Sequence, residues 1–83
     1  MANGDLAMGS AVREMRKRKG LTIEAAAYEA GMTTATLSKL ELAQSDPRWS
    51  SIRAVVEALG SDFAELGHLI QTAREGTDAG RRS

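Results

Sequence analysis

Apolar positions along the chain recur three and four residues apart, aromatic residues are few and β-branched residues are scattered. This spacing lines one face of a helix and predicts helices throughout, with no strand candidate. A first helix from about Met8 to Lys19 places Met8, Val12 and Met15 on one face and its charges opposite, and Gly20 supplies an end that tolerates left-handed backbone. Thr22 stands where an N-cap belongs, ahead of a short helix from Ile23 to Ala30 that stops at Gly31. Thr33 repeats the pattern and caps a third helix to about Leu42, with Leu37 and Leu40 inward and Thr34, Ala35, Ser38 and Lys39 outward.

The stretch AQSDPRWSS reads as a loop, in which Asp46 and Pro47 make a cap and first-turn pair for a fourth helix through Leu59. Its buried stripe is expected to be Trp49, Ile52, Val55, Val56 and Leu59, so Trp49 is taken as a core aromatic. Gly60 ends that helix, and Asp62 with Glu65 has capping-box spacing for a fifth, beginning at Phe63 and carrying Phe63, Leu66, Leu69, Ile70 and Ala73 at helical spacing. The expected fold class is therefore all-α, five short helices. Residues 1–7 form an N-terminal arm, 8–74 one domain with an extended last helix, and 75–83 a polar tail expected to be disordered.

Composition narrows the options. With 83 residues there is room for one small core, and with no cysteine neither a disulfide nor a thiolate metal site supports it. MANGDLAMGSAV lacks the basic start and apolar run of a secretory signal, and no apolar run is long enough to span a bilayer, so a cytoplasmic protein with no membrane partner is expected. The formal net charge is zero, but its distribution is uneven. Arg13, Arg16, Lys17, Arg18 and Lys19 make the first helix basic, whereas Glu24, Glu29 and Glu41 outnumber Lys39 from Leu21 to Ser45.

The run LTIEAAAYEAGMTTATLSKLE is unusually light in side-chain bulk. Two helices that cross steeply over a short turn need small residues at the crossing and one residue able to take positive φ, and Ala27 and Gly31 fit those demands. A generic helical hairpin in an alanine-rich chain would show the same pattern.

In order and in loop length, REMRKRKGLT, GMTTATLSKLE, the Asp46–Pro47 pair and EALG at Glu57 to Gly60 resemble the phage-repressor, Cro-like helix-turn-helix family, the Xre-type regulators. The resemblance runs from Met8 to about Leu66. It implies a lambda-repressor-like domain in which the second and third helices form the helix-turn-helix and the third lies in the major groove. Some positions depart from the family pattern: Ile23 stands where a phosphate-binding Gln is common, Thr34 and Ala35 stand where Gln or Arg often reads bases, Ala43 replaces the usual Gly, and Ala26 an inward Leu that Trp49 is expected to make good.

On this resemblance Arg16 and Glu41 match a partly buried ion pair between the first and third helices, with Arg16 also near a phosphate. Thr34, Ala35, Ser38 and Lys39 are the candidates for base contact: Lys39 reaches guanine acceptors, the hydroxyls bond either kind of base edge, and the Ala35 methyl meets a thymine methyl. Thr22, Thr33, Gln44, Ser45 and Arg48 are the phosphate candidates, with Arg48 also placed for the minor groove. Leu66, Leu69, Ile70 and Ala73 are candidates for a dimer interface, against the alternative that they pack on the first helix near Leu6 and Met8. His68 stands alone, so no metal site is expected.

The implied function is a sequence-specific DNA-binding regulator, a repressor that binds double-stranded DNA as a homodimer on a pseudo-palindromic operator at the nucleoid. The alternative is a protein-interaction module, antitoxin-like or an adaptor, that keeps the fold with weak or no DNA binding. Ile23, Ala35 and the acidic excess favour that alternative. One His, no Cys, no glycine-rich phosphate loop and no clustered acids leave no catalytic constellation, and neither an enzyme nor a cofactor is expected.

Overall fold

The computed structural model describes the backbone of residues 6–82 and the side chains of residues 6–75. Within them lie five helices and no strand: α1 Leu6–Arg18, α2 Ile23–Ala30, α3 Thr34–Glu41, α4 Trp49–Ala58 and α5 Phe63–Arg82. Each begins or ends where local chemistry satisfies its free backbone groups. The Thr22 and Thr33 side chains each accept a hydrogen bond at 3.1 Å, from the Ala25 and Thr36 amides respectively. At the start of α5, the Glu65 amide donates to Asp62 Oδ1 at 2.8 Å, while the Glu65 carboxylate accepts from the Ser61 hydroxyl.

The helices bury one shared core. α1 packs on α5 and α3, and α2 packs on α3 and α4. Val12, Met15, Leu37, Val55 and Val56 are its largest fully buried side chains. Ala26 and Ala27 are buried beside them, which lets α2 approach both neighbours.

Several expectations are corrected. The fourth helix starts at Trp49, not at Asp46 and Pro47, and its N-cap is Arg48, extended at φ −71° and ψ 152° with no side-chain cap bond. Extended backbone at Asp46 would itself suit an N-cap; what delays the helix is Arg48, whose own extended conformation keeps the helical path from beginning before Trp49. Trp49 is 65% exposed and is not a core aromatic. In the first turn of α4 its ring projects past the edge of the core and stacks on Phe63, itself 41% exposed, with centroids 4.9 Å apart. It therefore does not make good the small Ala26.

Of the dimer candidates, Leu66 and Leu69 are only 3% and 4% exposed because α1 covers them within one chain. Ile70 and Ala73 are half-buried, with Ile70 packed against the same core. The backbone of α5 is helical to Arg82, past the point where the tail was expected to begin, and the side chains of 76–83 lie outside the described residues. The arm expectation falls mainly on residues 1–5, also outside them, while Leu6 and Ala7 already belong to α1.

Candidate nucleic-acid interface

The turn between α2 and α3 is built by Gly31, which sits in the left-handed region at φ 72° and ψ 30°. That conformation swings the chain so that the Gly31 amide donates to the Tyr28 carbonyl at 3.1 Å and the Met32 amide to the Ala27 carbonyl at 3.0 Å, satisfying the end of α2. Space is not what Gly31 provides, since a Cβ there would meet nothing within 4 Å. A second close approach, outside this turn, lies at Gly9, where an added Cβ would come within 2.5 Å of the Glu41 carbonyl oxygen. A glycine inside a helical pattern was the available signal for it.

Thr33 then starts α3, its hydroxyl donating to Thr36 Oγ1 at 2.8 Å. Leu37 and Leu40 point into the core and turn the opposite side of α3 outward. Thr34, Ala35 and Lys39 are exposed and Ser38 is half-buried, so the base-contact candidates share the outward side of one short helix. Thr36 is exposed on the same helix and was not among the candidates; its hydroxyl is engaged by Thr33. The free amides of the first turn of α3 add a site of positive potential beside Thr34 and Ala35.

The end of α3 is fastened to α1. Arg16 Nε lies 2.8 Å from Glu41 Oε2 and Nη2 lies 3.1 Å from Oε1, while Nη1 donates to the Leu21 carbonyl at 2.9 Å. The two side chains retain 14% and 5% exposure. Hydrogen bonding to Glu41 holds the Arg16 guanidinium above its ordinary range, against the opposing effect of burial. With these three bonds made, Arg16 is a brace first, and little of it remains to face a phosphate.

The other phosphate candidates are placed unevenly. Thr22, Thr33, Gln44 and Arg48 are exposed and Ser45 is half-buried. Thr22 and Thr33 already accept from backbone amides, so a phosphate would meet them at their remaining hydrogen-bonding capacity. Ala43 adopts φ 57°, the left-handed conformation for which a glycine is expected, and the Gln44 amide following it donates to the Lys39 carbonyl at 2.8 Å. Ile23 is half-buried against the core and offers no donor to the surface. Along α1, Arg18 is paired with Glu14 at 3.3 Å.

A two-helix unit with a glycine turn, a capped second helix and an outward polar face is the arrangement that the helix-turn-helix domain family describes, and that family matches residues 7–69. The chain belongs to the helix-turn-helix domain family. Two crystal structures of the clp gene regulator ClgR from Corynebacterium glutamicum are similar to this helix-turn-helix chain. One is 25% identical with a TM-score of 0.87, covering 93% of this chain and 82% of that one. The other is 26% identical with a TM-score of 0.78, covering 82% and 87% respectively. No curated protein sequence matches the chain. Family and fold together support a DNA-binding transcriptional regulator. Among the described residues no helix is long and apolar enough to cross a membrane, and no three acidic, histidine or cysteine residues group as metal ligands.

Proposed function

We propose that this helix-turn-helix protein is a sequence-specific transcriptional repressor that binds a pseudo-palindromic operator as a dimer at the nucleoid. The observation that carries the reading is the division of α3: Leu37 and Leu40 anchor one side in the core while Thr34, Ala35 and Lys39 stand exposed on the other. In a major groove, Lys39 would bond guanine acceptors, Thr34 and Ser38 would bond base edges, and Ala35 would meet a thymine methyl. Thr22, Thr33, Gln44, Ser45 and Arg48 would fix the register on phosphates, with Arg48 within reach of the minor groove. The similar structures are of a gene regulator, which supports a regulatory role.

Two copies would set their α3 helices roughly 34 Å apart, one turn of duplex. With Leu66 and Leu69 spent on the internal core, Ile70 and Ala73 are the candidates left on α5 for the second copy. A strict monomer in sedimentation at micromolar concentration refutes the dimer.

Selection of bound sites from a random duplex pool, followed by mobility shifts with Lys39→Ala and Thr34→Ala, tests the reading. A recovered consensus, with loss of binding confined to it, supports base reading. A second reading, a protein-interaction module, is favoured by the outward face of α2, where Tyr28 is 83% exposed and Glu24 and Glu29 are exposed beside it. Recovery of no consensus favours that module.

A further inference from the structure

Gly9 lies inside α1 and is buried, a place where glycine weakens a helix and alanine would strengthen it. A Cβ at this position would stand 2.5 Å from the Glu41 carbonyl oxygen, 2.9 Å from that of Leu40 and 3.0 Å from the Glu41 carbonyl carbon. All three are backbone atoms in the last turn of α3, so no rotamer change relieves the conflict and the helices themselves must part. Gly67 on α5, by contrast, has nothing within 4 Å of its added Cβ.

About two helical turns further along α1, Arg16 grips the Glu41 carboxylate at 2.8 and 3.1 Å. α1 therefore meets the end of α3 at two points. Gly9 sets how near the backbones come, and Arg16 sets where the Glu41 side chain is held.

We infer that Gly9 is a positioning residue for α3: its missing side chain fixes the distance from α1 to the last turn of that helix, and thereby the reach of Lys39 and Ser38. The inference rests on the reading of α3 as the DNA-reading helix. A methyl group at Gly9 displaces that turn by about 0.9 Å, the difference between 2.5 Å and ordinary contact at 3.4 Å. The Thr33 end is held by the turn to α2, so α3 tips about its beginning: Lys39 moves most and Thr34 least. Binding constellations need to be held within about 0.5 Å, so the displacement is felt at Lys39 and not at Thr34.

A double-mutant cycle on a duplex selected by the parent protein tests this. Gly9→Ala is combined with Lys39→Ala and, separately, with Thr34→Ala, and Gly67→Ala serves as control. All variants are held in trimethylamine N-oxide, with folding followed by circular dichroism. Gly9→Ala is expected to fold and to lower specific affinity roughly tenfold, the scale of one lost base contact. Adding Lys39→Ala then costs little more, whereas Thr34→Ala has its full effect in either background, and Gly67→Ala binds like the parent.

A folded Gly9→Ala variant with parental affinity overturns the role, as does additivity with Lys39→Ala. So does a Gly9→Ala variant that stays unfolded in the osmolyte, because the contact then serves folding alone. A parent that selects no duplex brings down the reading of α3 and this inference with it, an outcome distinct from the other three.

Discussion

Arg16 crosses from α1 to hold both carboxylate oxygens of Glu41 on α3, at 2.8 and 3.1 Å, while its remaining nitrogen bonds the Leu21 carbonyl at 2.9 Å. The pair is almost withdrawn from water, so removing one partner leaves the other charged and poorly solvated. Glu41→Ala is expected to cost roughly 3–5 kcal/mol, read as a fall in the denaturation midpoint. Pairing raises the Arg16 guanidinium, so the stability tied to its proton is complete below the unfolded-state value and is lost only as pH climbs through the still higher folded one. The Arg16 titration should therefore leave the melting temperature flat from about pH 7 to about pH 10.

Two glycines should respond to alanine with opposite sign. Gly31 holds a left-handed φ of 72°, so Gly31→Ala is expected to destabilise by about 1 kcal/mol although nothing crowds the new methyl. Gly67 is exposed inside α5 and equally uncrowded, so Gly67→Ala is expected to stabilise by roughly 0.5–1 kcal/mol. Thermal melts of the two variants beside the parent check both signs.

The caps make a matched pair of expectations. Asp62 accepts from the Glu65 amide at 2.8 Å, and Asp62→Ala should cost about 1 kcal/mol. Asp46 caps nothing, since α4 begins after Arg48 without a side-chain bond. Asp46→Ala is accordingly expected to stay within about 0.5 kcal/mol of the parent in urea titrations.

Trp49 reports on the edge of the core. Its ring is open to water on one side and stacked on Phe63 at 4.9 Å, so Trp49→Ala should cost about 1–2 kcal/mol, an aromatic pair plus the minor part of the side chain that is buried. A buried tryptophan would cost roughly 3–5 kcal/mol. Iodide quenching of the indole fluorescence offers an independent check, and efficient quenching is expected.

Helix positions were legible where one side chain decides them. The hydroxyls of Thr22 and Thr33 and the carboxylate of Asp62 bond amides only a few residues away, so sequence spacing contained the geometry. Asp46 misled because the Asp–Pro pair has cap and first-turn chemistry, whereas the extended Arg48 after it moves the start of α4 to Trp49. Trp49 misled because helical spacing assigns it to the apolar stripe but cannot tell how far the core extends beneath the first turn of α4. Leu66 and Leu69 were ambiguous for a related reason: whether α1 or a second copy covers an apolar stripe depends on tertiary packing. The outward side of α3 followed directly from the inward Leu37 and Leu40. Arg16 with Glu41 came from family resemblance, since neither charge points to the other in spacing alone. The contact of Gly9 with the end of α3 joins distant parts of the chain, and only its placement in a helix hinted at it.

Amide shift mapping can locate the face of the protein that meets DNA. With the ¹⁵N-labelled protein titrated by its selected duplex, the largest perturbations are expected at Thr34, Ala35, Ser38 and Lys39, with smaller ones at Thr33, Gln44 and Arg48. Perturbations concentrated around Tyr28 or Trp49 while α3 stays silent would contradict DNA reading by α3.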